Sequence, residues 1–246
     1  MRVCLSFDDG RKDAYEAFKI LKEHNLTASF HITTGFIDGS FKTDSFGKNR
    51  EPLSLDELVE MHKNGMDISS HGDRHVMQSE DFRASLNKLS KWKLVEGNEV
   101  GFSVPNSEYT EEELNNFISS NRNNLSYLRI GRSNKCYTLY SKIHYGIYHI
   151  LHNQFSYNEF NKHNVMYSLD KYLLNSLVIK KDTKVKNLIN FINKYKEKDC
   201  TLVLMFHSII DKPMNKWEYS ARSFVELVKY LSKNTEILTL TELTIK

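Results

Sequence analysis

Short apolar runs alternate along this chain with segments in which apolar residues recur at helical spacing. The first apolar run, residues 2–7, contains β-forming residues and ends in two carboxylates and a glycine, where a turn can begin. A segment with helical spacing over 12–24 and a second apolar run over 26–32 follow it. This order of strand, helix and strand predicts a βαβ unit, in which both strands lie parallel in one sheet.

The same alternation continues to the end of the chain, with two interruptions. Further helices are predicted over 55–63, 81–92, 111–122, 185–195 and 223–231. Further strands are predicted over 66–70, 99–102, 125–130, 201–206 and 236–240. Residues 33–51 are predicted to form a long polar loop, and residues 133–170 contain short strand-like pieces. Packing is the favoured interpretation for four histidines in the second stretch: His144, His149, His152 and His163.

Composition restricts the functions open to the chain without selecting one. Its 246 residues suffice for a full core, and a formal net charge of +3 with no basic block gives no indication of a nucleic-acid partner. No apolar run approaches membrane-spanning length, so no integral membrane segment is predicted. No signal peptide precedes the first strand, and the odd, scattered cysteines Cys4, Cys136 and Cys200 fit a reducing compartment. The expected location is therefore the cytoplasm, and the expected organisation is one domain over 1–246.

Polar side chains that can carry chemistry follow two of the predicted strands. Asp8 and Asp9 end the first strand, where the alternative interpretation is an ordinary Asp-Asp-Gly turn. Neighbouring side chains on a strand point to opposite faces, so Asp8 and Asp9 are expected to have different partners. His71 and His75 follow the strand over 66–70 at a spacing that, on a helical turn, lets both bind one metal ion. Because the carboxyl ends of parallel strands gather on one face, the two sets are expected to converge.

Three motifs in this order resemble a known family. Phe7-Asp8-Asp9-Gly10, the histidine pair after 66–70, and Leu204-Met205-Phe206-His207 resemble the first, second and fifth motifs of the polysaccharide deacetylases, also called the NodB-homology or carbohydrate esterase family 4 group. The resemblance implies an α/β fold with a single-domain distorted (β/α) barrel of about seven parallel strands.

The resemblance also implies roles for individual residues. Asp9, His71 and His75 are expected to hold one divalent metal ion, with zinc as the expected ion. Asp8 is expected to act as the general base, and His207 as the general acid for the leaving amine.

Further residues are expected to contact the substrate. The backbone N–H of Asn106, next to Pro105, is expected to stabilise the oxyanion, and Leu204 is expected to form the wall of the acetyl pocket. Trp217 is either a second wall of that pocket or, as favoured, a packed loop residue.

Two motifs of the family depart from its usual pattern here. The third motif reads Ser103-Val104-Pro105-Asn106, without the arginine that pairs with the base. Arg129 and Arg132, at the end of the next strand, are the candidates to replace it and are included in the predicted substrate site. The fourth motif is not evident, which leaves the orienting partner of His207 open.

The predicted function is a metal-dependent hydrolase that removes an acetyl group from an N-acetylated sugar. The carbohydrate substrate is expected to be a cytoplasmic intermediate in surface-polysaccharide biosynthesis, such as a nucleotide- or lipid-linked glycan. A small-molecule amide hydrolase remains open, because a fold does not determine its substrate. The competing class is a non-catalytic glycan-binding relative whose third and fourth motifs have decayed.

Overall fold

The computed structural model describes residues 1–44, 46, 50–132 and 134–245. Parallel strands form the barrel wall: β1 (Arg2–Phe7), β2 (Ser29–Ile32), β3 (Asp67–Ser70), β4 (Val100–Ser103), β5 (Leu125–Ile130), β6 (Leu174–Val178) and β7 (Thr201–Phe206). Shorter strands follow in the chain: β8 (Ser208–Ile210), β9 (Glu218–Ser220) and β10 (Glu236–Ile237). The helices are α1 (Ala14–Glu23), α2 (Thr34–Ile37), α3 (Leu55–Lys63), α4 (Ser79–Lys91), α5 (Glu111–Asn121), α6 (Leu139–Leu151), α7 (Gln154–Asn161), α8 (Val185–Tyr195), α9 (Ala221–Asn234) and α10 (Leu240–Ile245).

The barrel is closed by its first and last wall strands. Neighbouring strands pair in sequence order from β1 to β7, and β1 also pairs in parallel with β7, in a register that runs from Arg2 opposite Thr201 to Phe7 opposite Phe206. All pairings within the wall are parallel, so every strand ends at the same rim of the barrel. This confirms the predicted α/β barrel of seven parallel strands. In the described part of the chain, no helix is both long and apolar enough to cross a membrane.

The core has two layers, one on each side of the barrel wall. Along β7, Leu202, Leu204 and Phe206 belong to the outer layer that packs under the helices. Val203 belongs to the smaller layer inside the barrel. Successive side chains of a strand alternate between the two faces, so residue 204 points away from the interior. The prediction that Leu204 forms the wall of the substrate pocket is therefore wrong; the neighbouring Met205 lines the cavity instead.

Tyr127 occupies the interior of the barrel below the site. Its hydroxyl lies 3.1 Å from Oδ2 of Asp67, 2.9 Å from Oγ of Ser69 and 3.0 Å from Nε2 of His31. The ring is fully buried and fits only because residue 101 is a glycine: a Cβ there would lie 2.0 Å from Cζ of Tyr127. The glycine thus determines how closely β4 approaches this ring.

We expect Gly101→Ala to destabilise the protein by about 1–3 kcal/mol, because the added methyl group overlaps a buried ring that is held by several polar partners. Urea unfolding measures the change in the free energy of unfolding. Gly146→Ala is the matched control, since a Cβ at residue 146 of α6 meets nothing within 4 Å. The control is expected to be neutral or stabilising, because alanine favours helices over glycine. Equal stability of the two variants would contradict the packing argument.

Residues 133–170 differ most from prediction, although residue 133 itself lies outside the described residues. The predicted strand-like pieces are the helices α6 and α7, and the following strand β6 was not predicted. Thr138 caps α6 by accepting the N–H of Ser141 at 3.2 Å. Tyr148 and Tyr157 pack between the two helices with ring centroids 4.9 Å apart. The aromatic residues that gave the stretch its strand-like composition therefore form a helix–helix contact.

Two other segments also differ from prediction. The strand predicted over 236–240 is only two residues long as β10, and the polar end of the chain forms α10, whose Leu240 and Leu243 enter the interior core layer. The predicted loop over 33–51 contains the short helix α2; residues 45 and 47–49 of that loop lie outside the described residues. In both segments, contacts with the barrel stabilise helices that are too short to be stable alone.

Candidate active site

A cavity of about 560 Å³ opens at the rim where the strands end. Asp8 and Asp9 reach it from β1, His71 from β3 and His207 from β7. The sequence predicted this convergence, and the parallel barrel explains it, since each of these residues lies within two positions of the end of a wall strand.

Asp9, His71 and His75 form a cluster that fits a metal ion. Oδ1 of Asp9 lies 3.6 Å from Nε2 of His71 and 3.5 Å from Nε2 of His75, and the two Nε2 atoms are 3.1 Å apart. Nδ1 of His71 donates a hydrogen bond to the carbonyl of Ser103 at 2.8 Å, which leaves the Nε2 lone pair directed at the cluster. Burial and the neighbouring His71 lower the pKa of His75 to about 3, so its ring is neutral at neutral pH. One carboxylate oxygen and two imidazole nitrogens make a donor set that suits a divalent ion such as zinc.

The turn from His71 to His75 is not the helical turn that the spacing suggested. Gly72 and His75 adopt positive φ angles of 84° and 61°. The turn curls around the carboxylate of Asp81 in α4, which accepts the N–H groups of Asp73 at 2.8 Å and Arg74 at 2.9 Å. The tight approach requires glycine, since a Cβ on residue 72 would lie 2.3 Å from Oδ2 of Asp81. The two rings therefore meet through a loop rather than through one helix face.

Arg11 holds the other oxygen of Asp9. Its Nε and Nη2 lie 2.8 Å and 2.5 Å from Oδ2, and the side chain is almost completely buried. Burial opposes ionisation of Asp9, but the charges of His207 and Arg11 hold the pKa of that carboxyl below its usual value. Oδ1 remains directed at the histidines. Arg11 is not among the residues predicted for the site, although its position directly after the Asp-Asp-Gly motif was a signal in the sequence.

Asp8 is paired with a buried arginine from β5. Nη2 of Arg129 lies 2.7 Å from Oδ1 and 2.6 Å from Oδ2 of Asp8, and Nη1 donates to Oγ of Ser176 at 2.8 Å. Burial raises the pKa of Asp8, but the charges of Arg129 and His71 outweigh it and hold that pKa well below its usual value. Ser103, the residue at the third-motif arginine position, is the register partner of Arg129. The neighbouring strand therefore supplies the cation that the third motif lacks.

Arg129 and Arg132 have different places in the site. Arg129 lies behind Asp8 and does not line the cavity, so it is a positioning residue rather than a substrate contact. Arg132 does line the cavity, and its guanidinium lies 4.3 Å from the ring centroid of Phe160. Of the two candidates for the missing arginine, only Arg129 pairs with Asp8.

His207 is half-buried beside Trp217, with ring centroids 4.8 Å apart. Burial lowers the pKa of His207, although Asp9 and Asp8 oppose the shift. Within the described residues, the buried Nδ1 of His207 has no hydrogen-bond partner. No residue there takes the place of the orienting partner that the fourth motif of the family would supply. Trp217 lines the cavity, which corrects the favoured interpretation of this residue as loop packing.

The third-motif turn places Asn106 at the cavity. A short 3₁₀ helix, Pro105–Ser107, begins here, and Asn106 has a positive φ of 55°. Its N–H lies in the first turn of that helix, where backbone donors have no partner within the helix. Pro105 is buried and does not line the cavity, contrary to its predicted contact with substrate.

Comparison with known proteins identifies the family. The polysaccharide deacetylase family model matches residues 1–128, more than half of the 246-residue chain. The chain belongs to the polysaccharide deacetylase family. No curated protein sequence matches the chain significantly.

Solved structures share the fold over nearly the whole chain. A family 4 acetyl xylan esterase from Clostridium thermocellum, in complex with a cobalt ion, is 16% identical, with 100% of this chain and 91% of that chain covered and a TM-score of 0.54. The catalytic domain of a peptidoglycan N-acetylglucosamine deacetylase from Eubacterium rectale is 13% identical over 97% of this chain and 87% of that chain, with a TM-score of 0.53. A peptidoglycan deacetylase from Bacillus subtilis is 13% identical over 98% and 88%, with a TM-score of 0.51. Family membership supports an enzyme that removes acetyl groups from sugars.

Proposed function

We propose that this protein is a metal-dependent hydrolase that removes the acetyl group from an N-acetylated sugar. The proposal rests on one observation: a metal donor set and a buried ion pair lie side by side at the same cavity. The donor set of Asp9, His71 and His75 lies next to the buried ion pair of Asp8 and Arg129. A three-ligand site beside a positioned carboxylate is the arrangement that metal-assisted hydrolysis needs.

The metal ion, held by the oxygen and two nitrogens of this donor set, would polarise the acetyl carbonyl and lower the pKa of the attacking water. Asp8 would accept the proton of that water as the bond to the acetyl carbon forms. His207 would donate a proton to the sugar nitrogen as the carbon–nitrogen bond breaks, which releases acetate and a free amine. The N–H of Asn106 would stabilise the negative charge on the acetyl oxygen.

Zinc is the proposed ion. Two imidazoles and one carboxylate suit it, although other first-row divalent ions bind the same ligand types. The related acetyl xylan esterase that binds cobalt supports an ion of this class.

We also propose that the protein acts in the cytoplasm, on an intermediate of surface-polysaccharide biosynthesis. The thiols of Cys4 and Cys200 are buried and free, which supports a reducing compartment.

The test measures metal content and acetate release together. After dialysis against trace zinc, the wild type is expected to hold about one equivalent and to release acetate from N-acetylglucosamine oligomers. His71→Ala is expected to lose most of both, because it removes one of three protein ligands. His62→Ala on α3, outside the cavity, is the matched control and is expected to behave as the wild type. Equal metal loading of His71→Ala and wild type, or a wild type that binds no metal, would show that the site is assigned wrongly.

A further inference from the structure

The wall of the cavity beyond His207 combines aromatic rings with cations. Tyr145 of α6 and Phe160 of α7 belong to it, so the helix pair between β5 and β6 builds part of the site. Arg132 follows β5, and Lys180 follows β6. None of these four residues belongs to the metal donor set or to the groups that move protons.

The two cations are half-buried without a carboxylate partner. Within the described residues, no carboxylate lies within ion-pair distance of Arg132 or Lys180, and both side chains lie over aromatic rings instead. The nearby Asp182 is engaged by Nδ1 of His149 at 2.8 Å. Burial lowers the pKa of Lys180, and the positive charge of Arg132 lowers it further. The fold therefore holds Arg132 and Lys180 near each other although the two cations repel. Unpaired, partly desolvated cations carry a free-energy cost that an anion would relieve.

The charges that line this wall do not balance. Both carboxylates after β1 are already paired with buried arginines. Among the described residues that line the cavity, Arg132, Lys180 and the exposed Lys142 remain, against the single exposed carboxylate of Glu108. Lys216 adds a further cation nearby, 4.6 Å from the ring centroid of Trp217. The excess positive charge predicts a negatively charged occupant.

Trp217 connects this wall to the reacting centre. Its ring lies 4.8 Å from the ring of His207, while Nζ of Lys180 lies 5.5 Å from its centroid. One indole ring therefore separates Lys180 from the proposed proton donor. A sugar whose acetylated nitrogen faces His207 could place a neighbouring anionic group near Lys180 and stack a ring face on Trp217.

We propose that the substrate is a phosphorylated N-acetylated sugar, whose phosphate is bound by Arg132 and Lys180 while its acetyl group lies at the metal donor set. This inference rests on the proposed deacetylase function and specifies its substrate class. An arginine and a lysine from two different strands suit a phosphate, whose several charged oxygens accept from more than one direction. A free sugar phosphate and a nucleoside diphosphate sugar share this chemistry.

The first experiment compares kcat/KM for four probes that differ in charge. The probes are N-acetylglucosamine 1-phosphate, UDP-N-acetylglucosamine, N-acetylmuramic acid and neutral di-N-acetylchitobiose. A phosphorylated probe is expected to exceed the neutral one by about tenfold or more, mainly through a lower KM. Whichever phosphorylated probe is the better substrate identifies the source of the phosphate. Preference for the carboxylate-bearing or the neutral sugar would overturn the proposal.

Variants separate the anion contacts from general charge. The double variant Arg132→Gln, Lys180→Gln is expected to lose roughly tenfold per cation on the phosphorylated probe and little on the neutral one. The control Lys184→Gln, Lys186→Gln removes the same charge from exposed residues outside the cavity and is expected to change neither. Equal losses on both probes would overturn the proposal, since they would indicate a general defect of the site.

Calorimetric binding of the same probes keeps this proposal distinct from the deacetylase assignment. If the wild type binds the phosphorylated probes, the double variant does not, and the wild type releases no acetate, the anion site is supported and the hydrolase assignment is refuted. If acetate release depends neither on the phosphate nor on the two cations, the hydrolase assignment is supported and the anion site is refuted. Binding of none of the probes would refute the anion site as well.

Discussion

Asp8→Asn is expected to lower kcat on an N-acetylated sugar by about 10³-fold while the metal content stays unchanged. General-base catalysis contributes about 10²–10⁴ in rate, and an amide of the same shape cannot accept the proton of the attacking water. The metal ligands Asp9, His71 and His75 are untouched by the substitution. Steady-state kinetics and metal analysis on the same preparation measure both effects.

This substitution also distinguishes the two classes of function left open by the sequence. Asp199→Asn is the control, since Asp199 is an exposed carboxylate whose partner is Arg2 at the surface. If Asp8→Asn kept full turnover, Asp8 would not be the base. If the wild type bound glycans but released no acetate, and Asp8→Asn bound them equally well, the non-catalytic glycan-binding class would be correct.

Arg129→Ser is expected to have the second large effect, on both stability and activity. It leaves the carboxylate of Asp8 buried without its cation, and breaking a buried ion pair in this way costs about 3–5 kcal/mol. The pKa of Asp8 is expected to rise, since the charge that lowers it most is removed. Urea unfolding measures the first effect, and the acidic limb of the profile of kcat/KM against pH, which should move to higher pH, measures the second.

The stability change should itself depend on pH. In the wild type the pKa of Asp8 is lower in the folded than in the unfolded chain, so its ion pair contributes stability above about pH 4 and loses it as the pH falls further. In Arg129→Ser, burial without the cation is expected to raise the folded pKa of Asp8 above the unfolded value, so stability should fall as the pH rises between the two. The variant and the wild type should therefore converge in acid and diverge towards neutral pH. A difference that does not change with pH would contradict the ion-pair argument.

A positional exchange provides the control for Arg129→Ser. Ser103 and Arg129 are register partners on neighbouring strands. The double variant Ser103→Arg, Arg129→Ser returns the guanidinium to the position that the family motif uses. This double variant is expected to move the acidic limb of the kcat/KM profile part of the way back to lower pH, and to recover part of the lost activity. No recovery over Arg129→Ser alone would indicate that the cation acts only from β5.

The alternation of strands and helices and the convergence of polar residues at strand ends could be predicted because both depend on local patterns, whereas the metal donor set followed from the resemblance to the family. Apolar runs fixed β1, β3 and β7 within a few residues, and the polar residue after each run lies at the barrel rim. The prediction for the stretch after residue 132 was wrong for the opposite reason. Tyr148 and Tyr157 favour strands by composition, whereas contact between α6 and α7 makes both segments helical.

The sequence by itself determined the alternation of strands and helices in a parallel α/β fold and the convergence of Asp8 and Asp9 with His71 and His75, since both follow from periodicity and from the position just after a strand. The barrel and the roles of these residues followed from the resemblance to the family. Only the tertiary structure decided which cation pairs with each carboxylate. Arg129 reaches Asp8 across 121 positions of sequence because the closed barrel brings the ends of β1 and β5 to one rim, and Arg132 and Lys180 line the same cavity because they follow the paired strands β5 and β6. Long side chains on different strands find their partners through the closure of the barrel, which no local pattern encodes.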